Sequence, residues 1–404
     1  MTTVCVVGAG IVGCATAYAL ARQGFQVRLV DAAEGPGTTT SFANGAQLSY
    51  SYVEPFASPA TLRALPGMLL STGSPVRFRL RADPRQWAWG LRFLAACSGA
   101  RARRGTAQLL DLASLSRQTL DGWQREEAWS FGFARNGKLV LCPDAATLAR
   151  QAAQVKLQAA LGCRQEVLSP AECLQREPAL AAGRFDAAGG VWTADECVAD
   201  PHRLCGELVR SLHRLGGTVS FGTRVDAFVR EGTRVVAARS GSAHIPADAF
   251  VLATGPDAPT LAAGIGVNLP VYPIKGYSIT LPFATSQRPR ASVTDLGRKT
   301  VFAPMEGVLR VAAMAEIGER GLEVPGARLR AMLDSVEAVY PGLCDLRSPQ
   351  PWAGLRPATP DSVPIIGRAP STNLFLNVGH GALGLTLAAG SAARLSALMR
   401  THFG

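Results

Sequence analysis

The stretch VCVVGAGIVGCATAYALARQGFQVRLVD, Val4 to Asp31, constrains the fold of this chain more than any other. Val4 to Ala21 carry no charge. A secretion signal would need a basic region ahead of the apolar run, and only Met1, Thr2 and Thr3 stand there. A membrane span would need about 20 unbroken residues, and Gly8, Gly10 and Gly13 interrupt this run. The period changes along it instead. Val4 to Val7 read as a short strand buried on both faces. Ala15 to Gln23 read as a helix stopped at Gly24, and Phe25 to Val30 as a second strand ending in Asp31. Strand, Gly8-x-Gly10-x-x-Gly13, helix, strand and acid together form a dinucleotide-binding unit. Gly8 allows a tight turn, Gly10 a close backbone approach to a pyrophosphate, and Gly13 close helix–strand packing. The helix N-terminus offers free N–H groups to the phosphates, and Asp31 can accept from both ribose hydroxyls.

Which dinucleotide follows from the next segment. Thr38 to Gln47, TTTSFANGAQ, is a loop of small polar residues where a nicotinamide fold would run on into its next helix and strand. Such hydroxyls and amides suit phosphate and flavin-ring polar atoms, so FAD is expected. Two later segments resemble returns to the same sheet. Ala249 to Gly255 is a strand ending in Thr254-Gly255, and Asn373 to Val378 is a strand followed by Gly379-His380-Gly381 and a helix over 382–399. The nucleotide domain is therefore assembled from separated segments. The remaining pattern is helix-like over 51–158, with a strand at 137–141. A helix follows over 201–215, strand-turn-strand over 218–229, strands over 271–310, and a helix over 329–339. With 404 residues, the chain is long enough for two interleaved domains.

Composition removes several function classes. The formal net charge is +11, but Arg supplies nearly all of it; the only lysines are Lys138, Lys156, Lys275 and Lys299. Heavy Arg and Ala usage is a compositional bias, so the charge is not read as a nucleic-acid surface. Nine scattered cysteines without a C-x-x-C pair argue against a disulfide framework, a zinc site or an iron–sulfur site, and fit a reducing compartment. His380 has no metal-ligand spacing to His202, His213, His244 or His402, so no metal is expected.

The segments GAGIVG with Asp31, SFANGAQLSYSYVEPFASP (41–59), YPIKGYSITLP (272–282), RVAAMAEIG (310–318), WAGLRPATPDSVPIIGR (352–368) and NVGHGALGLTLAAGSA (377–392) are spread over nearly the whole chain. In that order they resemble the D-amino-acid oxidase superfamily of FAD enzymes, and within it the bacterial D-amino-acid dehydrogenases. The resemblance implies an α/β fold: a Rossmann-like FAD-binding domain (1–50, 165–265 and 350–404) interleaved with a substrate domain (51–164 and 266–349) built on a large mixed β-sheet. It implies FAD contacts at Gly8, Gly10, Ile11, Val12, Gly13, Asp31, Ala32, Ser41, Asn44, Gly45, Gln47, Thr254 and Gly255, and at Val225 by the adenine. It also implies contacts from His380, Gly381, Ala382, Leu383, Gly384, Leu385 and Thr386, whose turn and helix N-terminus face the flavin pyrimidine edge. Related sarcosine oxidases link flavin through a Cys where this chain has Gly354, so FAD is expected without a covalent bond.

Amine oxidation by flavin needs a hydride from Cα and a substrate held by its carboxylate. Arg356, in Gly354-Leu355-Arg356-Pro357, is the expected anchor, because a planar guanidinium grips a carboxylate with two parallel hydrogen bonds. Tyr277, Tyr52 and Tyr50 are expected partners; Tyr50 and Tyr52 would share a face if their segment is extended. The expected reaction turns D-amino acids into 2-oxo acids and ammonia. The alternatives are a secondary or other small amino acid (D-proline, hydroxyproline, sarcosine or glycine), an NAD-linked dehydrogenase, or a non-catalytic flavin subunit. Finally, 76–104 holds eight arginines and one acid, Asp83, interleaved with Trp87, Trp89, Leu91, Phe93 and Leu94. A solvated face over a buried stripe is one reading. The resemblance tilts the expectation toward a membrane-surface contact, with electrons passing to a quinone or respiratory carrier from a cytoplasmic protein on the inner face of the cell membrane.

Overall fold

The computed structural model describes residues 1–70, 76–370 and 373–404, so 71–75 of the helix-like stretch and 371–372 of the expected nucleotide domain lie outside the described residues. The strand Thr3–Val7 sits inside a six-stranded sheet, with Gln26–Val30 and Ala249–Leu252 parallel on either side. Thr218–Ser220 and Leu374–Val378 extend the sheet in parallel, and Ile365–Arg368 closes one edge antiparallel. Val4 to Val7 are buried on both faces, as a parallel strand covered by helices requires. The helix Ile11–Arg22 begins four residues earlier than its apolar pattern suggests and is buried nearly all round. It packs against the helices Gly384–Phe403 and Pro201–Arg214. That enclosure is the physical reason the first stretch carries no charge. Among the described residues one helical run, Gly381–Phe403, is long and apolar enough to cross a membrane by length and composition. It lies against Ile11–Arg22 and the long helix Gly99–Glu126, so its apolar surface belongs to the core.

The second sheet has nine strands. In spatial order they are Gln350–Ala358, Tyr272–Pro282, Val308–Ile317, Thr300–Met305, Ser292–Asp295, Lys138–Cys142, Gly189–Thr193 and Glu166–Leu168. Val76–Phe78 joins Val308–Ile317 off this path. Parallel and antiparallel pairs are mixed. One face carries Leu139, Leu141, Tyr277, Ile279, Val293, Phe302 and Val311, covered by Met332 and Val336 of the helix Gly326–Val339. The other face meets the loops at the ends of the first sheet. A small antiparallel meander, Ala227–Glu231, Arg234–Ser240 and Ala243–Pro246, packs beside the six-stranded sheet through Phe228 and Phe250.

Three segments differ from their sequence pattern. Thr218–Ser220 and Ala227–Glu231 do not form one hairpin; the first completes the parallel sheet beside Gln26–Val30, and the second opens the meander. The stretch 51–158 holds the helices Pro59–Leu70, Pro84–Ala96, Gly99–Glu126 and Ala145–Ala159, and also the short strand Val76–Phe78, whose pairing is wholly tertiary. Drawn by sheet membership, 166–193 and 350–358 run with the large sheet, although the sequence pattern groups them with the nucleotide half.

Candidate active site

The turn after Thr3–Val7 shows which glycines the fold itself demands. Gly8 has φ +106°, and a Cβ there would lie 2.5 Å from the Ala253 carbonyl oxygen. A Cβ on Gly13 would lie 1.7 Å from the Gly8 oxygen. Gly10 is different: its nearest neighbour would be Ser41 Oγ at 3.5 Å, an ordinary contact. Packing alone would accept a side chain at Gly10, so a ligand approaching the backbone is the remaining reason for glycine there. Asp31 ends the next strand. Its carboxylate accepts from Ala9 N at 2.5 Å and from Ala33 N at 2.7 Å, which aims it beside the turn and leaves further lone pairs for hydroxyl donors.

A second element converges here. Gly10 and Leu383, the residues preceding Ile11–Arg22 and Gly384–Phe403, provide no side-chain cap. The two helix starts are neighbours, a Cβ on Gly384 lying 4.0 Å from Ile11 Cγ2. Ser41 Oγ accepts from Ile11 N at 3.0 Å and ties the polar loop to the first of them. Thr254 Oγ1 and His380 Nε2 are buried without a hydrogen-bond partner among the described residues. Val225 is buried in the cluster with Val30 and Phe228; Leu385 and Thr386 are buried, Val12, Gly255, Gly381 and Leu383 half-buried, and Ala32 and Ala382 exposed. Two converging positive helix ends, a carboxylate and orphaned polar atoms suit a ligand with phosphates, ribose hydroxyls and a polar ring edge. FAD fits that description.

The loop after Ser41 crosses the large sheet. Thr40 Oγ1 donates to Leu355 O of Gln350–Ala358 at 2.9 Å. Ser278 Oγ of Tyr272–Pro282 donates to Ala43 O at 2.5 Å, and Arg310 Nη1 of Val308–Ile317 to Asn44 O at 3.1 Å. Ala46 packs with Ala303 of Thr300–Met305. Gln47 Nε2 donates to Ser292 Oγ of Ser292–Asp295 at 3.2 Å, and Lys138 Nζ of Lys138–Cys142 to Gln47 Oε1 at 3.0 Å and Ser49 Oγ at 2.9 Å. Gly45 lies over Ala312, its added Cβ being 3.5 Å from that methyl. Ten residues of loop thus meet six neighbouring strands in their spatial order.

The same sheet face carries Arg356. Its strand pairs with Tyr272–Pro282, Arg356 opposite Ile274 and Gly354 opposite Gly276. A Cβ on Gly276 would lie 2.5 Å from Arg356 Nη2, and one on Gly354 would lie 2.2 Å from Trp352 Cη2. Two facing glycines thus leave room for a guanidinium and an indole to lie on the sheet side by side. Neither side chain makes a hydrogen bond or ion pair among the described residues. Burial holds the Arg356 pKa below its usual value, yet a guanidinium stays charged at any working pH. The strand continues to Ala358, whose backbone bridges His380. Arg356 and the His380 turn are therefore joined by a few residues of backbone.

Tyrosines are placed otherwise than expected. Tyr277 is one residue out of phase with Gly276 and points to the opposite face, 1% exposed, its hydroxyl donating to Glu316 at 2.9 Å. Glu316 is in turn paired with Arg328. It cannot share a ligand with Arg356 from there. Tyr50 packs in the core with Leu48 and Val53, whereas Tyr52 lies beneath the Lys138 ammonium, 4.3 Å from ring centroid to Nζ. The chain bends between them, so the two rings have separate surroundings. A cavity of about 330 Å³ lined by Leu141, Leu180, Val339 and Arg298 shares no residue with this site. Trp352, Gly276, Arg310 and Lys138 were not signalled by their residue types. Lys138 carried one clue: it is a lysine in a chain whose cations are nearly all arginine.

The chain matches the sequence model of the family described as FAD dependent oxidoreductase over residues 3–398. It is 45% identical to "D-amino acid dehydrogenase 2" of Ralstonia nicotianae, over 98% of this chain and 95% of that one. It is 46% identical to "D-amino acid dehydrogenase 2" of Pseudomonas aeruginosa, over 96% of this chain and 92% of that one. Among solved structures, the glycine oxidase of Geobacillus kaustophilus superposes with a TM-score of 0.77 at 19% identity, covering 99% of this chain and 95% of its own; that likeness is one of fold.

Burial holds His380 neutral, pushing its pKa from 6.5 down to about 3. Between those values the unfolded chain binds a proton that the folded chain does not. Unfolding free energy therefore rises with pH across that window, and the contribution is lost as pH falls below 6.5. Denaturant unfolding of wild type should show this slope, up to about 1.4 kcal/mol per pH unit, and His380→Gln should lack it. Equal slopes would show that His380 is not held neutral.

Proposed function

The chain belongs to the FAD-dependent oxidoreductase family, and on that footing we propose that it oxidises D-amino acids at the ground between Trp352 and Arg356. The observation that carries the reading is Arg356, a charged guanidinium on the inner sheet face with no acid in ion-pair range among the described residues. A substrate carboxylate supplies the missing partner through two parallel hydrogen bonds, which fix its rotation as well as its position. The curated relatives' names support a D-amino acid as its bearer. A cation beside the substrate disfavours the ammonium and so favours the neutral amine, the form that can be oxidised. Trp352 covers the adjacent floor and excludes water.

The residues that would hold FAD are the Gly8–Gly13 turn, Asp31, the 41–47 loop, Thr254, Gly255, Val225 and the 380–386 turn and helix start. Bound there, FAD supplies the acceptor for the hydride leaving Cα. The imino acid released reacts with water to give a 2-oxo acid and ammonia. In this division of labour the six-stranded-sheet half holds the cofactor and the large-sheet half the substrate.

The test is reduction of the holoenzyme without oxygen. D-alanine and other D-amino acids should bleach the flavin band and L-isomers should not. Arg356→Ala should keep FAD and lose about 2–5 kcal/mol of transition-state binding, at least roughly thirtyfold in kcat/KM. Arg356→Lys should recover little. Equal bleaching by L-isomers, or near-normal kcat/KM in Arg356→Ala, would overturn the reading.

The electron acceptor is read from the outer surface. The helix Pro84–Ala96 has two apolar stripes. Trp89, Phe93 and Ala96 are buried beside Tyr272. Trp87, Leu91 and Leu94, on the opposite side, are 52%, 68% and 42% exposed, flanked by exposed Arg85, Arg92 and Arg101. The fold uses only the first stripe. Exposed apolar side chains ringed by arginine suit an anionic lipid surface, where a quinone would collect the electrons. On this reading the protein rests on the inner face of the cell membrane. It should bind anionic vesicles at low salt, release them as salt rises, and bind several-fold less after Leu91→Ser. Absence of binding at low salt would leave the stripe a solvated face.

A further inference from the structure

We propose that Lys138, with Glu196 behind it, is a positioning residue for the reaction: its charged form holds the Gln47–Tyr52 segment in place against the cofactor cradle. The inference rests on the reading that the 41–47 loop holds FAD. Lys138 is 3% exposed and has no carboxylate in ion-pair range among the described residues. Its ammonium instead serves three residues of one segment: Gln47 Oε1 at 3.0 Å, Ser49 Oγ at 2.9 Å and the Tyr52 ring at 4.3 Å. Because Nζ can only donate when charged, the Gln47 amide oxygen must face it, and the amide nitrogen then reaches Ser292. Both ends of that side chain are fixed.

Glu196 grips the same segment from its other side. Its Oε1 accepts from Ser51 N at 2.7 Å, while Oε2 is buried without a hydrogen-bond partner among the described residues. Thr386, at the start of the 384–403 helix, closes the ring by accepting from Ser49 N at 3.0 Å. The segment is therefore held by two buried opposite charges that do not touch each other. A well-packed apolar pair would secure a seam more cheaply. Two buried charges persist here because a charged group can orient polar loop atoms and an apolar one cannot.

Burial pushes the Lys138 pKa down to about 8 and the Glu196 pKa up, and their mutual attraction opposes both shifts. Tyr52, with Glu54 and Cys142 beside it, faces Lys138; Tyr50, Cys163 and Cys197 face Glu196, with Asp121 and Arg117 beyond. Loss of the Lys138 proton removes a donor and the cation from the Tyr52 ring, so the segment loosens as pH rises through that value. Removing the Glu196 charge withdraws the attraction that sustains the ammonium and moves the loosening to lower pH.

The experiment uses Lys138→Met and Glu196→Gln, and reads two quantities between about pH 6 and 10. One is FAD affinity of the apoprotein by flavin fluorescence; the other is kcat/KM of the holoenzyme for D-alanine with a soluble acceptor. In wild type both should fall across an alkaline limb near pH 8. Glu196→Gln should move that limb down by at least about half a pH unit, and Lys138→Met should remove it while lowering kcat/KM at least about tenfold at pH 7. Lys138→Met within twofold of wild type, or a limb unmoved in Glu196→Gln, would overturn the proposal. If Lys138→Met does not fold, the position of the Glu196→Gln limb decides. Wild-type flavin unreduced by D-amino acids would instead count against the functional reading, and the affinity limb would still decide the role of Lys138.

Discussion

Everything at this site depends on one loop being laid across one sheet. Residues 40–49 leave the nucleotide turn and meet six strands of the large sheet in their spatial order, from the Gln350–Ala358 edge to Lys138. Ala43 O, Asn44 O, the Gln47 amide oxygen and the Ser49 hydroxyl accept from side chains of the sheet, while Thr40 and the Gln47 amide nitrogen donate to it. Such bonds are directional and short, so the loop cannot slide without leaving several buried polar groups unpaired. On the proposed reading, cofactor cradle and substrate floor are built on different sheets. The loop sets their mutual position.

Charge follows the same seam. Arg356, Arg310 and Lys138 all lie on or at the edge of that inner face, and none has a carboxylate in ion-pair range among the described residues. Elsewhere in the chain, arginines such as Arg328, Arg298 and Arg203 are paired with acids. Two helix starts whose N-cap residues provide no side-chain cap add partial positive charge from the opposite side. Leaving such cations without an acid costs stability; on the proposed reading a substrate carboxylate offsets that cost at Arg356. Arg310 and Lys138 direct their charge to the loop instead, through Asn44 O, Gln47 and Ser49.

Local chemistry made some of this legible from sequence. Gly8, Gly13 and Asp31 lie within one contiguous unit, so their spacing alone implied the turn, the packing and the acceptor. Arg356 was singled out among many arginines by the short motif around it, and its place on the inner sheet face follows from strand pairing. Tyr277 failed for a reason that one residue of phase explains: Gly276 lies on the inner face, so its neighbour must face away. Lys138, Arg310 and Trp352 are single residues on strands brought together only by sheet order, and nothing near them in sequence says which strands become neighbours. The helix Pro84–Ala96 was apolar on both sides, and periodicity could not tell which stripe the core would take. Pairing of Val76–Phe78 with Val308–Ile317 was equally invisible, because three residues carry no pattern of their own.

The central claim is that the unpaired Arg356 guanidinium receives the substrate carboxylate above Gly276 and Gly354. The most direct measurement is a crystal structure of the FAD-reduced enzyme grown without oxygen in the presence of D-alanine. The account predicts both carboxylate oxygens within hydrogen-bond distance of Arg356, with Trp352 against the ligand and Tyr277 remote from it. A carboxylate bound elsewhere, with Arg356 still unpaired, would contradict it.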